Sequence, residues 1–112
     1  MEDRDFDANM EALRHEFADK LIERLDHLSA DMSAFDAAKT VADRHQCLSN
    51  MELTAHQLSG SSALFGFAEI GDAAQALETA CRDGMKSPAA PATDNAVRRT
   101  WAGLSSAAGK ST

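Results

Sequence analysis

Neither glycine nor proline occurs before Gly60. These are the two strongest interrupters of regular backbone, so more than half of the 112 residues can run as helix. Alanine is abundant, β-branched residues are sparse and tyrosine is absent, a balance that favours helix over sheet. Apolar residues step by three or four through Met10, Leu13, Phe17, Leu21, Leu25 and Leu28. They do so again through Phe35, Ala38, Val41, Leu48, Met51, Ala55 and Leu58. That spacing is the signature of helices with one apolar face.

The pattern predicts a first helix over about 7–29, with Phe6 packed before it as a hydrophobic staple. A break is expected over 29–33, where Asp31 or Ser33 would cap the next helix. One long helix then spans about 34–65, with Ser49-Asn50 offering a place to bend. Gly66 is placed to end it, since glycine tolerates the left-handed conformation of a helix C-terminus. A third helix over 68–83 presents Ile70, Ala73, Ala74, Leu77, Ala80 and Cys81, and Asp83-Gly84 stops it. Residues 85–93 read as a linker because Pro88 and Pro91 forbid continued helix. Thr93 is expected to cap a fourth helix over 94–108, with Asp94 favourable in its first turn and Val97, Trp101, Leu104 and Ala108 facing inward. None of these helices can bury its stripe alone. An all-α, antiparallel up-and-down four-helix bundle in a single domain over 1–112 is the economical arrangement. The large methionine and aromatic side chains are read as its core filling.

Composition closes off several function classes. A formal net charge of −7 disfavours nucleic acid as a partner and biases the surface towards basic ones. The segment Met1-Glu2-Asp3-Arg4-Asp5 is charged and precedes no apolar region, so no signal peptide is expected. No run approaches the roughly 20 apolar residues of a membrane span, and the expected location is the cytoplasm. Cys47 and Cys81 have neither zinc-site nor disulfide-framework spacing. His15 and His27 read as solvated flank residues of the first helix. His45 and His56 share a face but stand three turns apart, roughly 16 Å at 1.5 Å per residue, too far to share an ion. Ala42 and Leu53 occupy the positions where a di-metal Glu-x-x-His pairing needs glutamate. The tail Gly109-Lys110-Ser111-Thr112 lacks the glycine of a phosphate loop, since Leu104 stands at its place. No metal or other cofactor is expected.

One residue rises above this background. On a helical wheel, Leu48, Met51, Ala55, Leu58, Ser62 and Phe65 form one stripe, and His56 lies roughly 120° from its middle. His56 therefore faces solvent or the rim. Gly60 lies one turn further along nearly the same line. A mid-helix glycine costs about 1 kcal/mol relative to alanine, and the physical return is room beside the imidazole. Leu53 and Leu64 fall on the same side, giving an apolar strip broken by the ring. Such a strip suits a partner helix, or is covered by a neighbouring helix or the N-terminal segment. Ser59 at i+3 is either a hydrogen-bond donor beside the ring or an incidental small residue at the core edge. Gln57 points further round, towards solvent or a partner. Ser61 and Ser62 read as small packing residues.

Ala55-His56-Gln57-Leu58-Ser59-Gly60-Ser61-Ser62, then Phe65-Gly66, then Leu77-Glu78-Thr79-Ala80-Cys81-Arg82 resembles the signature of histidine-containing phosphotransfer (HPt) domains. The resemblance is close from about Leu53 to Arg82 and extends to the whole chain in length and helix order. It implies a phosphorelay carrier, not an ATP-using kinase. His56 would accept a phosphoryl group from the aspartate of a receiver domain, of a response regulator or a hybrid histidine kinase, and pass it to another. Gln57, Ser59, Gly60, Leu53 and Leu64 would contact the phosphoryl group or the partner. Imidazole suits the role, because its ordinary pKa of about 6.5 leaves it a neutral nucleophile near neutral pH. The Mg²⁺ and lysine of the chemistry would sit on the receiver, so this chain needs no cofactor, and a monomer is the default. The departure is Ser59, where the family usually has a lysine that helps hold the phosphoryl group. A second reading is thus an HPt-like adaptor that binds receivers without transfer, and a third is a plain structural bundle.

Overall fold

The computed structural model describes residues 2–111, with side chains from Asp5 to Gly109. Four helices follow in order: α1 (Glu2–Ala37), α2 (Val41–Leu64), α3 (Ala68–Gly84) and α4 (Pro91–Ser111). Among the described residues there is no strand. Short connections make each helix the neighbour of the next: α1 packs on α2, α2 most extensively on α3, and α3 on α4. This is the expected up-and-down four-helix bundle. Its α1–α4 side is looser. A mostly apolar groove of about 490 Å³ lies there between Ile22 and Leu25 on one wall and Trp101 and Ala108 on the other.

The core follows the stripes. Leu48, Met51, Ala55, Leu58 and Ser62 are the buried residues of α2. They meet Phe17, Leu21, Leu28 and Phe35 of α1, Ile70, Ala74, Leu77 and Cys81 of α3, and Val97 and Leu104 of α4. At the α2–α3 turn, Phe17 packs against Phe65 and Phe67, with ring centroids 5.6 and 5.0 Å apart. Gly66 takes φ +82° there, and the amide of Phe67 donates to the Ser62 carbonyl at 2.9 Å. The turn thus uses the left-handed conformation that glycine permits.

Several boundaries differ from the sequence reading. The break expected over 29–33 is absent, and α1 continues to Ala37. Met32 and Phe35 carry the stripe of Leu28 onward and are buried. Burying a side chain such as Phe35 contributes about 2–3 kcal/mol, which outweighs the roughly 0.5 kcal/mol helix penalty of each of Ser29, Asp31 and Ser33. The cap of α2 is Thr40, not Asp31 or Ser33: the Thr40 hydroxyl accepts from the Asp43 amide at 3.0 Å. Val41 then lies at the exposed start of α2. Helix α2 runs through Ser49-Asn50 without interruption.

Phe6 is not a staple, being 64% exposed, and Leu13 is 41% exposed. From Asp5 to Glu16 only Met10 is even partly shielded. The longest dimension of the molecule, 58 Å, reflects this extension of α1 past the α2–α3 turn. Thr93 is not the cap of α4. That helix starts two residues earlier at Pro91, a residue suited to a first helical position because its missing N–H would have no partner there. Thr93 is instead buried, and its hydroxyl donates to the Ser87 carbonyl at 2.8 Å.

One end of the bundle is tied together through Arg44, only 15% exposed in its side chain. Its Nε donates to the Pro88 carbonyl at 2.8 Å, its Nη2 pairs with Asp94, and its guanidinium stacks 4.1 Å from the centroid of the Phe35 ring. One side chain thereby joins α1, α2, the α3–α4 linker and α4.

Candidate functional site

The site is set by one turn of α2 facing one turn of α3. Ala55 is fully buried, so its neighbour His56 is rotated out of the core and its side chain is 70% exposed. Glu78 occupies the opposite situation. It lies in helical register with Ala74 and Cys81, both buried, and its side chain is only 10% exposed. A carboxylate in such a place is costly unless paired. Two groups meet on its Oε2: the Arg82 Nη2 at 2.6 Å, one turn along α3, and the His56 Nδ1 at 3.0 Å, across from α2.

This contact defines the chemistry of the ring. A carboxylate held by a guanidinium accepts only. The proton between them therefore belongs to Nδ1 of His56, which donates it. Neutral imidazole carries one proton, so Nε2 keeps a free lone pair on the exposed side of the ring. The buried carboxylate selects the tautomer and fixes the ring's orientation, as a hydrogen-bond partner behind a histidine commonly does.

Arg82 has a second acidic neighbour. Its Nε lies 3.7 Å from Oε2 of Glu52, and that oxygen is buried without a hydrogen-bond partner. Glu52 is on α2 one turn before His56, at the i,i+4 spacing that places side chains side by side. His56, Glu78, Arg82, Glu52, Leu53 and Asn50 surround a shallow cavity of about 400 Å³ between the two helices. Leu53 belongs to this rim and is 60% exposed.

Leu64 is 72% exposed near the end of α2 and lies outside that cavity, as do Gln57, Ser59 and Gly60. Among the described residues, no neighbouring helix or N-terminal segment covers the two leucines. Gln57 is exposed and Ser59 is half-buried. A side chain added at Gly60 would meet nothing within 4 Å. Gly71 and Gly84 differ: a Cβ at Gly71 would touch the Ser59 carbonyl and Ser62 at 3.5 Å, and one at Gly84 would lie 2.6 Å from Thr93 Cγ2. Close helix packing thus accounts for Gly84, whereas a Cβ at Gly71 would make only ordinary contacts and one at Gly60 would enter open space.

Sequence reasoning assigned no role to Glu78, Arg82 or Glu52. The available signal was Glu78 itself, a charged residue in register with the apolar positions Ala74 and Cys81, followed by an arginine at i+4.

The family model for the Hpt domain matches residues 9–107, nearly the whole chain. No curated protein and no solved structure matches it significantly. The chain belongs to the Hpt domain family, which supports a phosphotransfer-related role in phosphorelay signalling. Among the described residues, no helix is long and apolar enough to cross a membrane.

Proposed function

We propose that this chain is a phosphoryl carrier whose acceptor atom is Nε2 of His56. The single observation that carries the reading is an exposed imidazole whose other nitrogen is held by a hydrogen bond to the buried carboxylate of Glu78. In the forward step, Nε2 attacks the phosphorus of a receiver's aspartyl phosphate. The P–O bond to the aspartate breaks and its carboxylate leaves. The ring retains the Nδ1 proton and becomes a phosphoimidazolium, with its positive charge facing Glu78. In the return step a second receiver's aspartate attacks the phosphorus, and neutral imidazole departs. Neutral imidazole is a far better leaving group than its anion, so holding the proton on Nδ1 keeps both directions open.

Phosphoryl transfer depends mostly on positioning and charge neutralisation. The receiver brings the Mg²⁺ and lysine that the family resemblance implies, and this chain brings the nucleophile and a surface. Leu53 and Leu64 flank the ring as apolar contacts for a receiver helix, and the open space at Gly60 admits the aspartyl phosphate. Gln57 and Ser59 border that approach. The reading is of a single domain acting as a cytoplasmic monomer between receiver domains.

Incubation with a phosphorylated receiver tests it. Acid-labile, base-stable label should appear on this chain and be lost in His56→Gln. Receiver binding without label would favour the adaptor reading, to which Ser59 in the lysine position lends weight.

A further inference from the structure

The carrier reading leaves open where the phosphoryl group rests at equilibrium. The charges around His56 bear on this. Arg82, which lines the same cavity as the ring, is already shared between two carboxylates: Glu78 at 2.6 Å and Glu52 at 3.7 Å. Glu52 lies on the side of His56 away from Gly60, one turn back along α2, so it draws the guanidinium away from the open approach. On the Gly60 side the i+3 position is Ser59, a neutral hydroxyl, and hydrogen bonds from neutral donors are weaker than those from charged ones.

A phosphoryl group on Nε2 brings about two negative charges into this setting. Glu78 is accounted for, since it faces the positive ring that phosphorylation creates. Glu52 does not face the ring in that way: it repels the incoming group, and it engages Arg82, so that the guanidinium is divided between two carboxylates. We propose that Glu52, by dividing Arg82 with Glu78 and so leaving an excess of negative charge beside the ring, sets His56 as a donor, so that the phosphoryl group passes through this chain and accumulates on the receiver. The inference rests on His56 being the acceptor. Within that reading it assigns Glu52 a function that no motif gives it.

Phosphoramidate serves as the probe, because it phosphorylates histidine without a receiver. The P–N bond to ammonia breaks, the P–Nε2 bond forms, ammonia leaves, and the ring keeps its Nδ1 proton. At a fixed ratio of phosphoramidate to ammonium, the ratio of labelled to unlabelled chain is read by ³¹P NMR and intact mass. Coulombic relief of one nearby carboxylate at partial exposure is worth a modest factor, and Glu52→Gln should raise the ratio by about fivefold at low salt. Ser59→Lys should raise it similarly, Arg82→Gln should lower it, and 1 M salt should narrow all three differences. Melting curves establish that each variant is folded, and Ser59→Lys keeps the test intact if Glu52→Gln is not. Label on wild type with both ratios within twofold of wild type overturns this inference and leaves the carrier reading standing. Absence of label from wild type, under conditions that label free imidazole, overturns both.

Discussion

Oε2 of Glu78 lies 3.0 Å from Nδ1 of His56, bridging a nearly buried carboxylate on α3 and an exposed ring on α2. The bond fixes which nitrogen of the ring is free. Glu78→Gln retains an acceptor but loses the negative charge behind the ring, and Glu78→Ala loses both. Labelling of His56 by phosphoramidate should slow about tenfold in the first and about a hundredfold in the second, within the usual range for a group assisting proton placement. Stopped-time labelling followed by intact mass measures both rates. Equal rates in wild type and Glu78→Ala would remove the carboxylate from the chemistry.

Gly60 separates stability from function. A methyl group there enters open space, so Gly60→Ala should stabilise the fold by about 0.5–1 kcal/mol in urea unfolding. The same methyl stands beside the approach to Nε2. Transfer from a phosphorylated receiver should fall at least tenfold, while labelling by the much smaller phosphoramidate changes little. A variant that is more stable and equally fast with the receiver would show that the space is not used.

Gly84→Ala should behave in the opposite way. Its Cβ would lie 2.6 Å from Thr93 Cγ2 and 3.5 Å from Leu48 Cδ1. Relief requires the start of α4 to shift, at a cost of about 1–3 kcal/mol for overpacking a tight contact. Thr93→Ser combined with Gly84→Ala should recover part of that loss, because the clashing methyl is gone. Denaturant midpoints for the single and double variants decide it.

Arg44 supports the fold without touching the site. Arg44→Met should destabilise by about 1–3 kcal/mol, because it strands the Pro88 carbonyl and removes the partner of the partly exposed Asp94 carboxylate. Labelling of His56 below the melting temperature should be unchanged. The pair of measurements separates a structural tie from a catalytic one.

Alkaline pH offers a further check. Burial pushes the Cys81 thiol up to about 12, with the charges of Glu52 and Asp31 adding to the effect. In the unfolded chain the thiol ionises near its ordinary value of 9.0. Above that value the unfolded state sheds a proton that the native state keeps. The stabilisation is therefore complete below pH 9, declines from there, and is lost as pH rises towards 12. The slope corresponds to roughly 1.4 kcal/mol per pH unit in that window. Chemical denaturation across it should show the decline in wild type, and Cys81→Ala should flatten it.

The sequence disclosed more of α2 than of its partners. Leu48, Met51, Ala55, Leu58 and Ser62 sit on one stripe that packing only deepens, and Gly66 marks its end by a conformation few other residues accept. The α1–α2 boundary was hidden because no breaker marks it. Ser29, Asp31 and Ser33 are weak helix formers, but Met32 and Phe35 gain more from burial than those three lose. The true signal was Thr40 followed by Asp43, a short capping pattern inside an otherwise continuous helical run. Thr93 misled for a related reason: a good cap residue was read in isolation, when a buried hydrogen bond across the linker governs it. His56 could be singled out from one helix alone. Glu78 and Arg82 could not be joined to it, because their meeting depends on how α3 is set against α2, which no single-helix period contains.

The ring of His56 stands on one helical ledge at the rim of a shallow cavity, with a single free nitrogen. Two visitors cannot occupy that ledge together, so any exchange it mediates proceeds by turns: the first must depart before the second arrives. On the proposed carrier function, throughput is then governed by how quickly partners dissociate, and a visitor that lingers acts as a brake on every other one sharing the ledge.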